Sequence, residues 1–256
     1  MAKLDVIPVR AFADNYVWTI RDDTHAAVVD PGDAAPVLDY LQREGLELAA
    51  ILNTHHHADH VGGNAALLRR WSVPVFGPDD SRIPDVSQRL RDGDRITLPH
   101  FGIDFEVIDI PGHTRSHIAF HGGGMLFCGD TLFAVGCGRL FEGTPEQMHR
   151  SLQRLVQVPD STRVYCGHEY TLSNIRFAKA AEPSNAALLE LEKRAAAQRA
   201  KDLPTLPTDI GQEKATNPFL RVSEPQVVES ASRYAGKPLT DPVSVLAAIR
   251  DWKNNF

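Results

Sequence analysis

The chain is best understood from the stretch Thr54-His55-His56-His57-Ala58-Asp59-His60. This stretch places four imidazoles and one carboxylate within six consecutive positions. Burying such groups costs free energy unless they are paired, and neighbouring imidazolium ions would repel one another. A metal ion removes both costs, because neutral imidazole and ionised carboxylate are ligands that zinc and similar metals prefer. The stretch therefore predicts a metal site.

The residues on either side of this stretch indicate where the site lies. Ile51-Leu52 is typical of the end of a buried strand, and the residues from Val61 to Trp71 are typical of a helix. The histidines therefore lie on a strand-to-helix turn. Open α/β sheets commonly bind their ligands at such turns.

The spacing within the stretch divides its side chains between two metal ions. In an extended backbone, alternate residues point to the same side, so His55, His57 and Asp59 converge and His56 faces away. His60 takes a new direction where the chain becomes helical. We expect one ion to bind His55 and His57, and a second to bind Asp59 and His60.

Three later strands end in the same way, with an apolar run, a glycine and a ligand-type side chain. These ends are Pro111-Gly112-His113, Cys128-Gly129-Asp130 and Cys166-Gly167-His168. Glycine lets the backbone turn sharply and approach a site closely. Each end alone would be read as a turn that carries a polar residue. Together with the histidine stretch they indicate a shared site.

These side chains are sufficient for two metal centres. The predicted sets are His55, His57 and His113 for one centre, and Asp59, His60 and His168 for the other. Asp130 has two oxygens and would bridge the centres, while water leaves an open position for a substrate. Zinc is the expected metal, and the same ligands suit iron or manganese.

The remaining histidines and the cysteines receive no ligand role. The histidines are predicted on the surface or beside a ligand, and they are His25, His56, His100, His117, His121 and His149. His117 is a candidate for orienting a neighbour by hydrogen bonding. Cys128 and Cys166 are predicted as small core residues, and Cys137 lies in a glycine-rich loop.

Composition excludes several classes of protein. The formal net charge of −6 and the sequence pI near 6.0 argue against a nucleic-acid surface. Three cysteines fit no disulfide framework, which favours a reducing compartment. The N-terminus has no long apolar run, so neither a signal peptide nor a membrane span is expected. We expect a cytoplasmic protein, monomeric by default.

The character of the sequence changes after about Leu172. Residues 1–171 alternate short apolar strands with turns and helices. Residues 172–256 contain predicted helices at Ile175–Ala181, Asn185–Lys201, Gln226–Tyr234 and Val243–Trp252, with a loop at Leu203–Lys214. This succession predicts an α/β domain at 1–171, followed by a smaller all-helical domain at 172–256.

The order of these motifs resembles that of the metallo-β-lactamase superfamily. That resemblance implies a four-layer αββα sandwich with a binuclear metal site at one edge. Further segments are similar to the hydroxyacylglutathione hydrolase family, and they are Asp14-Asn15-Tyr16, Gly136–Thr144, Gly167–Thr171 and Asn217-Pro-Phe-Leu-Arg221. The helical C-terminal region is similar to the substrate-binding domain of that family.

The resemblance implies a binuclear metal thioesterase. Its substrate would be S-D-lactoylglutathione, which is hydrolysed to D-lactate and glutathione in the second step of methylglyoxal detoxification. Asp59 and Asp130 would be the catalytic carboxylates. The positions implied to bind glutathione are Arg139, Phe141, Tyr170 and Arg221. For Arg221 the alternative is a surface salt bridge.

The chain departs from the family pattern at three substrate positions. Arg139 stands where lysine is frequent, and Phe141 stands where a tyrosine hydroxyl is frequent. A lysine is expected just after Arg221, but Val222-Ser223-Glu224 follows, and Lys253 is the candidate to replace it. Phe141 and the missing lysine motivate the hypothesis that glutathione binds more weakly than in relatives.

Other functions remain open at this stage. One is a different hydrolase of the superfamily, such as a lactonase, β-lactamase or nuclease. Another is a glutathione persulfide dioxygenase that uses a single iron. A third is a non-catalytic metal-binding module, which would need closed coordination, whereas the predicted ligands leave room for water and substrate.

Overall fold

The computed structural model describes residues 4–256, and residues 1–3, with which the predicted first domain begins, lie outside the described part. The chain forms two compact units. The first contains the residues up to Asp109 together with Ser116–Gly129, and the second contains Ile110–Arg115 together with Asp130–Phe256. A domain boundary between residues 171 and 172 stays a prediction.

A six-stranded sheet dominates the first unit, and its strands are neighbours in chain order. They are β1 (Asp5–Ala11), β2 (Asn15–Arg21), β3 (His25–Val29), β4 (Glu47–Leu52), β5 (Val75–Pro78) and β6 (Gln88–Leu90). The first three pair antiparallel, whereas β3 to β6 run parallel. Val29 pairs with Leu52 at the ends of β3 and β4, so Asp30 and the histidine stretch begin side by side.

Helices provide the crossovers that parallel strands require. After β3 comes α1 (Ala34–Glu44), and after β4 come the short helices α2 (Ala58–Val61) and α3 (Asn64–Leu68). The side chain of Asp33 accepts a hydrogen bond from the N–H of Ala35, and Gly45 ends α1 at φ 68°. These are the usual signals for the start and the stop of a helix.

Four antiparallel strands complete the first unit. They are β7 (Arg95–Leu98), β8 (Ile103–Asp109), β9 (Ile118–Gly122) and β10 (Met125–Gly129). In β8, Phe105 and Val107 are buried while Asp104 and Glu106 are exposed. This alternation is that of a strand with one buried face.

The second unit is mainly helical. Its elements are β11 (Leu132–Phe133), β12 (Gly136–Cys137), α4 (Pro145–Leu155), β13 (Arg163–Cys166), α5 (Thr171–Ala181), α6 (Ala186–Arg199), β14 (Thr208–Asp209), α7 (Ile210–Thr216), α8 (Pro225–Ala235) and α9 (Pro242–Asn254). Thr144 caps α4 in a reciprocal capping box with Gln147. A bilayer crossing would need a longer and more apolar helix than any within residues 4–256.

Two local predictions were wrong. The helix predicted from Val61 to Trp71 is interrupted at Gly62-Gly63 and ends at Leu68. The loop predicted at 203–214 contains β14 and the start of α7. The helix α7 has only seven residues, too few to show a clear apolar period, and it begins where the side chain of Asp209 accepts from the N–H of Gln212.

Candidate metal centre

The histidine stretch starts just beyond β4, and its side chains point in two directions. Nε2 of His55 lies 3.2 Å from Nδ1 of His57, so these two imidazoles converge. His56 instead places Nδ1 3.7 Å from a carboxylate oxygen of Asp80. This is the division expected from the alternation of an extended backbone.

The next two predicted ligands lie on the short helix α2. Nε2 of the buried His60 lies 3.5 Å from Oδ2 of Asp59. The amide of Asn15 donates to Oδ2 of Asp59 at 3.1 Å and to its backbone carbonyl at 3.3 Å. A Cβ at Gly32 would lie 1.8 Å from that same carbonyl oxygen, so only glycine permits this approach. The carboxylate of Asp59 is therefore oriented by its surroundings.

Asp30 is a buried carboxylate that is not among the predicted ligands. It accepts hydrogen bonds from the backbone N–H and the hydroxyl of Thr54, both at 2.7 Å. Its Oδ2 also lies 3.1 Å from Nδ1 of His60. Ligand-type atoms of Asp30, His55 and His60 lie within 4.8 Å of one another. Asp30 comes directly after a strand, as the predicted ligands do. This position is a sequence signal by which Asp30 could have been identified.

The contacts of Asp30 determine which ring nitrogens carry protons. The hydroxyl of Thr54 donates to Asp30 and lies 3.1 Å from Nδ1 of His55, so Nδ1 is the donor in that contact. Nδ1 of His60 faces the carboxylate of Asp30. The imidazole of His55 then carries its lone pair on Nε2, the form that binds metals, with Nδ1 held by an outer partner.

In the second unit, Asp130 lies between two histidines. Its Oδ2 is 3.5 Å from Nε2 of His113 and 3.3 Å from Nε2 of His168, and all three residues are buried. One carboxylate that faces two imidazoles is suited to bridging. Cys128 and Cys166 are buried and reduced, as predicted for small core residues.

His113 is held from its other ring nitrogen. Nδ1 donates to the carbonyl of Arg139 at 2.9 Å, which leaves the lone pair on Nε2. The ring of Phe141 packs edge-on against His113, with centroids 5.2 Å apart, and Phe141 is 63% exposed. A Cβ at Gly138 would lie 1.9 Å from the carbonyl oxygen of Asp130. The loop that carries Arg139 and Phe141 therefore lies directly against two predicted ligands.

Two further aromatic rings surround His168. Tyr170 stacks on it with centroids 4.8 Å apart and planes 5° apart. Phe133 lies edge-on to both rings, at 5.9 Å from His168 and 5.2 Å from Tyr170. Tyr170 is half-buried and Arg139 is exposed, so the predicted substrate residues are accessible beside the ligands.

Arg221 makes a bidentate ion pair. Its guanidinium donates to the two carboxylate oxygens of Glu182 at 2.8 and 2.7 Å and to the carbonyl of Lys214 at 3.2 Å. Burial acts to raise the pKa of Glu182, but the hydrogen bonds from Arg221 and Asn185 and the charge of Arg221 outweigh it and lower that pKa. Arg221 thus has a structural contact, and its role in glutathione binding stays a prediction.

The donors present fit divalent metal ions. Nδ1 is hydrogen-bonded in two of the candidate imidazoles, those of His55 and His113, and Nδ1 of His60 lies 3.1 Å from Oδ2 of Asp30. Carboxylate oxygens lie beside Nε2 of His60 in the first unit and beside Nε2 of His113 and His168 in the second. Neutral imidazole with carboxylate is a ligand set that zinc, iron and manganese accept.

Comparison with known proteins identifies the family. Residues 12–168 match the model of the metallo-beta-lactamase superfamily, and residues 169–256 match that of the hydroxyacylglutathione hydrolase C-terminus. The hydroxyacylglutathione hydrolase of Nitrosomonas europaea is 54% identical over 99% of this chain and 97% of its own length. The chain belongs to the hydroxyacylglutathione hydrolase family. Its counterpart in Aeromonas salmonicida is 53% identical over 98% of this hydrolase and 99% of its own length.

Solved structures support the same fold for the hydrolase. The crystal structure of ETHE1 from Myxococcus xanthus has a TM-score of 0.66 and 25% identity, and the match covers 98% of each chain. TTHA1623, solved in a di-iron-bound form, has a TM-score of 0.60 and 28% identity over 84% of this hydrolase and all of that chain. The predicted α/β class, the metallo-β-lactamase fold with a helical C-terminal region, and a metal-dependent hydrolase are confirmed.

Replacing Asp30 by alanine should weaken metal binding by this hydrolase. The change leaves two donors of Thr54 and Nδ1 of His60 without the carboxylate, and loss of such an outer partner lowers metal affinity roughly 10- to 100-fold. Metal retained after dialysis against graded chelator measures the effect. Asp39→Ala, at an exposed position of α1, is the control. Equal metal retention in both variants would show that Asp30 does not orient the ligands.

Proposed function

We propose that this chain hydrolyses S-D-lactoylglutathione, and S-2-hydroxyacylglutathiones generally, to glutathione and the hydroxy acid. With D-lactate as product, this is the second step of methylglyoxal detoxification. The names of relatives at about half identity over nearly the whole chain support the substrate. The observation that carries the proposal is Asp130, whose Oδ2 lies 3.5 and 3.3 Å from Nε2 of His113 and His168.

The proposed centre holds two divalent metal ions, with zinc as the expected metal and iron or manganese as alternatives. The carboxylate of Asp130 would be shared by both ions. The proposed sets are His55, His57 and His113 for one ion, and Asp59, His60 and His168 for the other. The convergence of His55 with His57 and of Asp59 with His60 supports this division.

When bound, the two metal ions would lower the pKa of water at the centre toward ~7 and polarise the thioester carbonyl. The carboxylate of Asp59 is the proposed acceptor for the proton of the attacking water, and Asn15 orients it through the bond to Oδ2. As the C–S bond breaks, glutathione leaves as a thiolate with a solution pKa of about 8.5, so it needs no general acid.

Glutathione carries two carboxylates, and the second unit offers cations to bind them. The proposed substrate residues are Arg139, Phe141, Tyr170 and Arg221, with Lys253 as a further cation. Burial, together with the neighbouring charges of Arg250 and Arg139, lowers the pKa of Lys253 to about 8. These charges lie close enough together to disfavour one another, so an anionic ligand would relieve the repulsion.

Phe141→Tyr should lower the Michaelis constant for the thioester. Phe141 is exposed beside His113, so an added hydroxyl would be available to the substrate. One hydrogen bond contributes about 1 kcal/mol, or roughly a fivefold change. Steady-state kinetics measure it, and Phe12→Tyr, at another exposed phenylalanine, is the control. An unchanged constant in Phe141→Tyr would contradict the view that the missing hydroxyl weakens glutathione binding.

One assay tests the function as a whole. Purified protein is mixed with S-D-lactoylglutathione, thioester loss and thiol release are followed, and metal content is measured in parallel. Turnover with two metal ions per chain is expected. Two bound ions without turnover would exclude the proposal, and oxygen consumption with glutathione persulfide would favour the single-iron dioxygenase. Action as a monomer in the cytoplasm stays a prediction, to be tested by light scattering and cell fractionation.

A further inference from the structure

We propose that Glu213 positions the segment Phe133–Arg139, called here the 133–139 segment, and through it the substrate contact of Arg139. This inference deepens the proposed function and rests on it for the role of Arg139. Glu213 lies in α7 and is fully buried. The proposed hydrolysis makes no use of its carboxylate, so its presence calls for another physical reason.

The backbone of Val135 is strained. Its φ of 58° lies in the left-handed region, which a β-branched residue occupies rarely and at a cost. The N–H of Val135 donates to Oε2 of Glu213 at 2.7 Å. This bond to a buried carboxylate is strong enough to stabilise a conformation that Val135 would otherwise leave.

Glu213 is itself held by two more donors. The hydroxyl of Thr208 donates to Oε1 at 2.7 Å, and the amide of Asn217 donates to Oε2 at 2.9 Å. Burial raises the pKa of Glu213 to about 7, although the hydrogen bonds from Thr208, Val135 and Asn217 oppose this. With donors on both oxygens, the carboxylate cannot shift without breaking a bond.

Further side chains of the same unit bind the neighbouring carbonyls of the segment. The amide of Asn217 donates to Phe133 at 3.2 Å and to Gly136 at 2.9 Å. The amide of Asn174 donates to Ala134 at 2.8 Å, and the guanidinium of Arg250 donates to Cys137 at 2.6 Å. The segment is thus bound residue by residue, and Glu213 accepts the N–H at its strained position.

Both ends of the segment touch the proposed site. Phe133 packs against His168 and Tyr170, and the carbonyl of Arg139 accepts from Nδ1 of His113. If Val135 relaxed to a negative φ, the chain direction beyond it would change. Arg139, an exposed residue at the end of the segment, would then be displaced from the substrate.

The test is Glu213→Gln, alone and combined with Val135→Gly. Glutamine keeps the size of the side chain but turns an N–H toward one of the donors. We expect the Michaelis constant for S-D-lactoylglutathione and the dissociation constant for glutathione to rise about tenfold, the loss of one charge-assisted bond. Glycine adopts positive φ without support, so Val135→Gly should reverse most of that rise. A loss of stability alone would not be reversed in this way.

Val227→Ala in α8 is the control, since it removes buried volume from the helical region and changes none of the hydrogen bonds described for the segment. It should lower the melting temperature and leave both constants unchanged. Constants unchanged in Glu213→Gln, or a rise that Val135→Gly does not reverse, would overturn the inference. If Glu213→Gln does not fold, Thr208→Val is measured instead. We expect it to raise both constants by a smaller factor, and unchanged constants would overturn the inference. Absence of turnover in the unaltered protein would count against the proposed function, while glutathione binding would still test the role of Glu213.

Discussion

Asp130→Ala is expected to lose bound metal and hydrolytic activity together. The change removes the carboxylate that faces both His113 and His168. Loss of an outer-shell partner already costs roughly 10- to 100-fold in metal affinity, and loss of a shared ligand should cost more for each ion. Metal per chain by mass spectrometry and kcat/KM with the thioester measure the two effects on the same preparation.

Asp160→Ala is the matched control for Asp130→Ala. Asp160 is an exposed aspartate of the same unit whose carboxylate pairs with Lys214 at 2.6 Å. Exposed ion pairs contribute at most about 1 kcal/mol, so metal and activity should remain. A preparation of Asp130→Ala that keeps both metal ions and full activity would show that Asp130 is not the bridge.

Asp59→Asn is expected to lower kcat by roughly 100- to 10,000-fold, the range for removing a general base. Asparagine retains an oxygen for a metal ion, but it accepts a proton far less readily than a carboxylate. Asn15 donates to Oδ2 of Asp59, and the oxygen of an asparagine at this position could accept the same bond. The variant should therefore fold. Rapid-mixing kinetics would measure the hydrolytic step separately from substrate binding, and metal analysis would give the metal content of the same preparation.

The two roles of Asp59 can be separated by this variant. Low activity with full metal content would support a role of Asp59 as proton acceptor. A parallel loss of metal and activity would support a role as metal ligand alone. Asp85→Asn, at an exposed position of the same unit, controls for the change of charge. Full activity in Asp59→Asn would exclude Asp59 as the proton acceptor.

The candidate ligands could be identified in the sequence because their signals are local. The alternation of His55, His56 and His57 needs only an extended backbone, and the glycine-ligand pairs need only a strand end. Asp30 and Asn15 were not identified as partners of the ligands. A carboxylate after a strand and an asparagine in a hairpin are also ordinary turn residues, and contacts with Thr54 and Asp59 are needed to distinguish them.

The helical region shows the same limit. The four longer helices of this region were predicted, but α7 was not, because its seven residues are too few to show an apolar period. Glu213 within it was placed in the loop predicted at 203–214. Its burial follows from Val135, Thr208 and Asn217, three donors that only the folded chain brings to one carboxylate.

The type of chemistry could be predicted from the residues alone, because residue types that bind metals recur at the predicted strand ends. Which atoms are oriented for that chemistry depends on hydrogen bonds that form only in the folded chain. The bond between Asp30 and Thr54 joins residues 24 positions apart, and the bond between Glu213 and Val135 joins residues 78 positions apart. A bond between distant residues depends on how the whole chain packs, and no local pattern of residues encodes it.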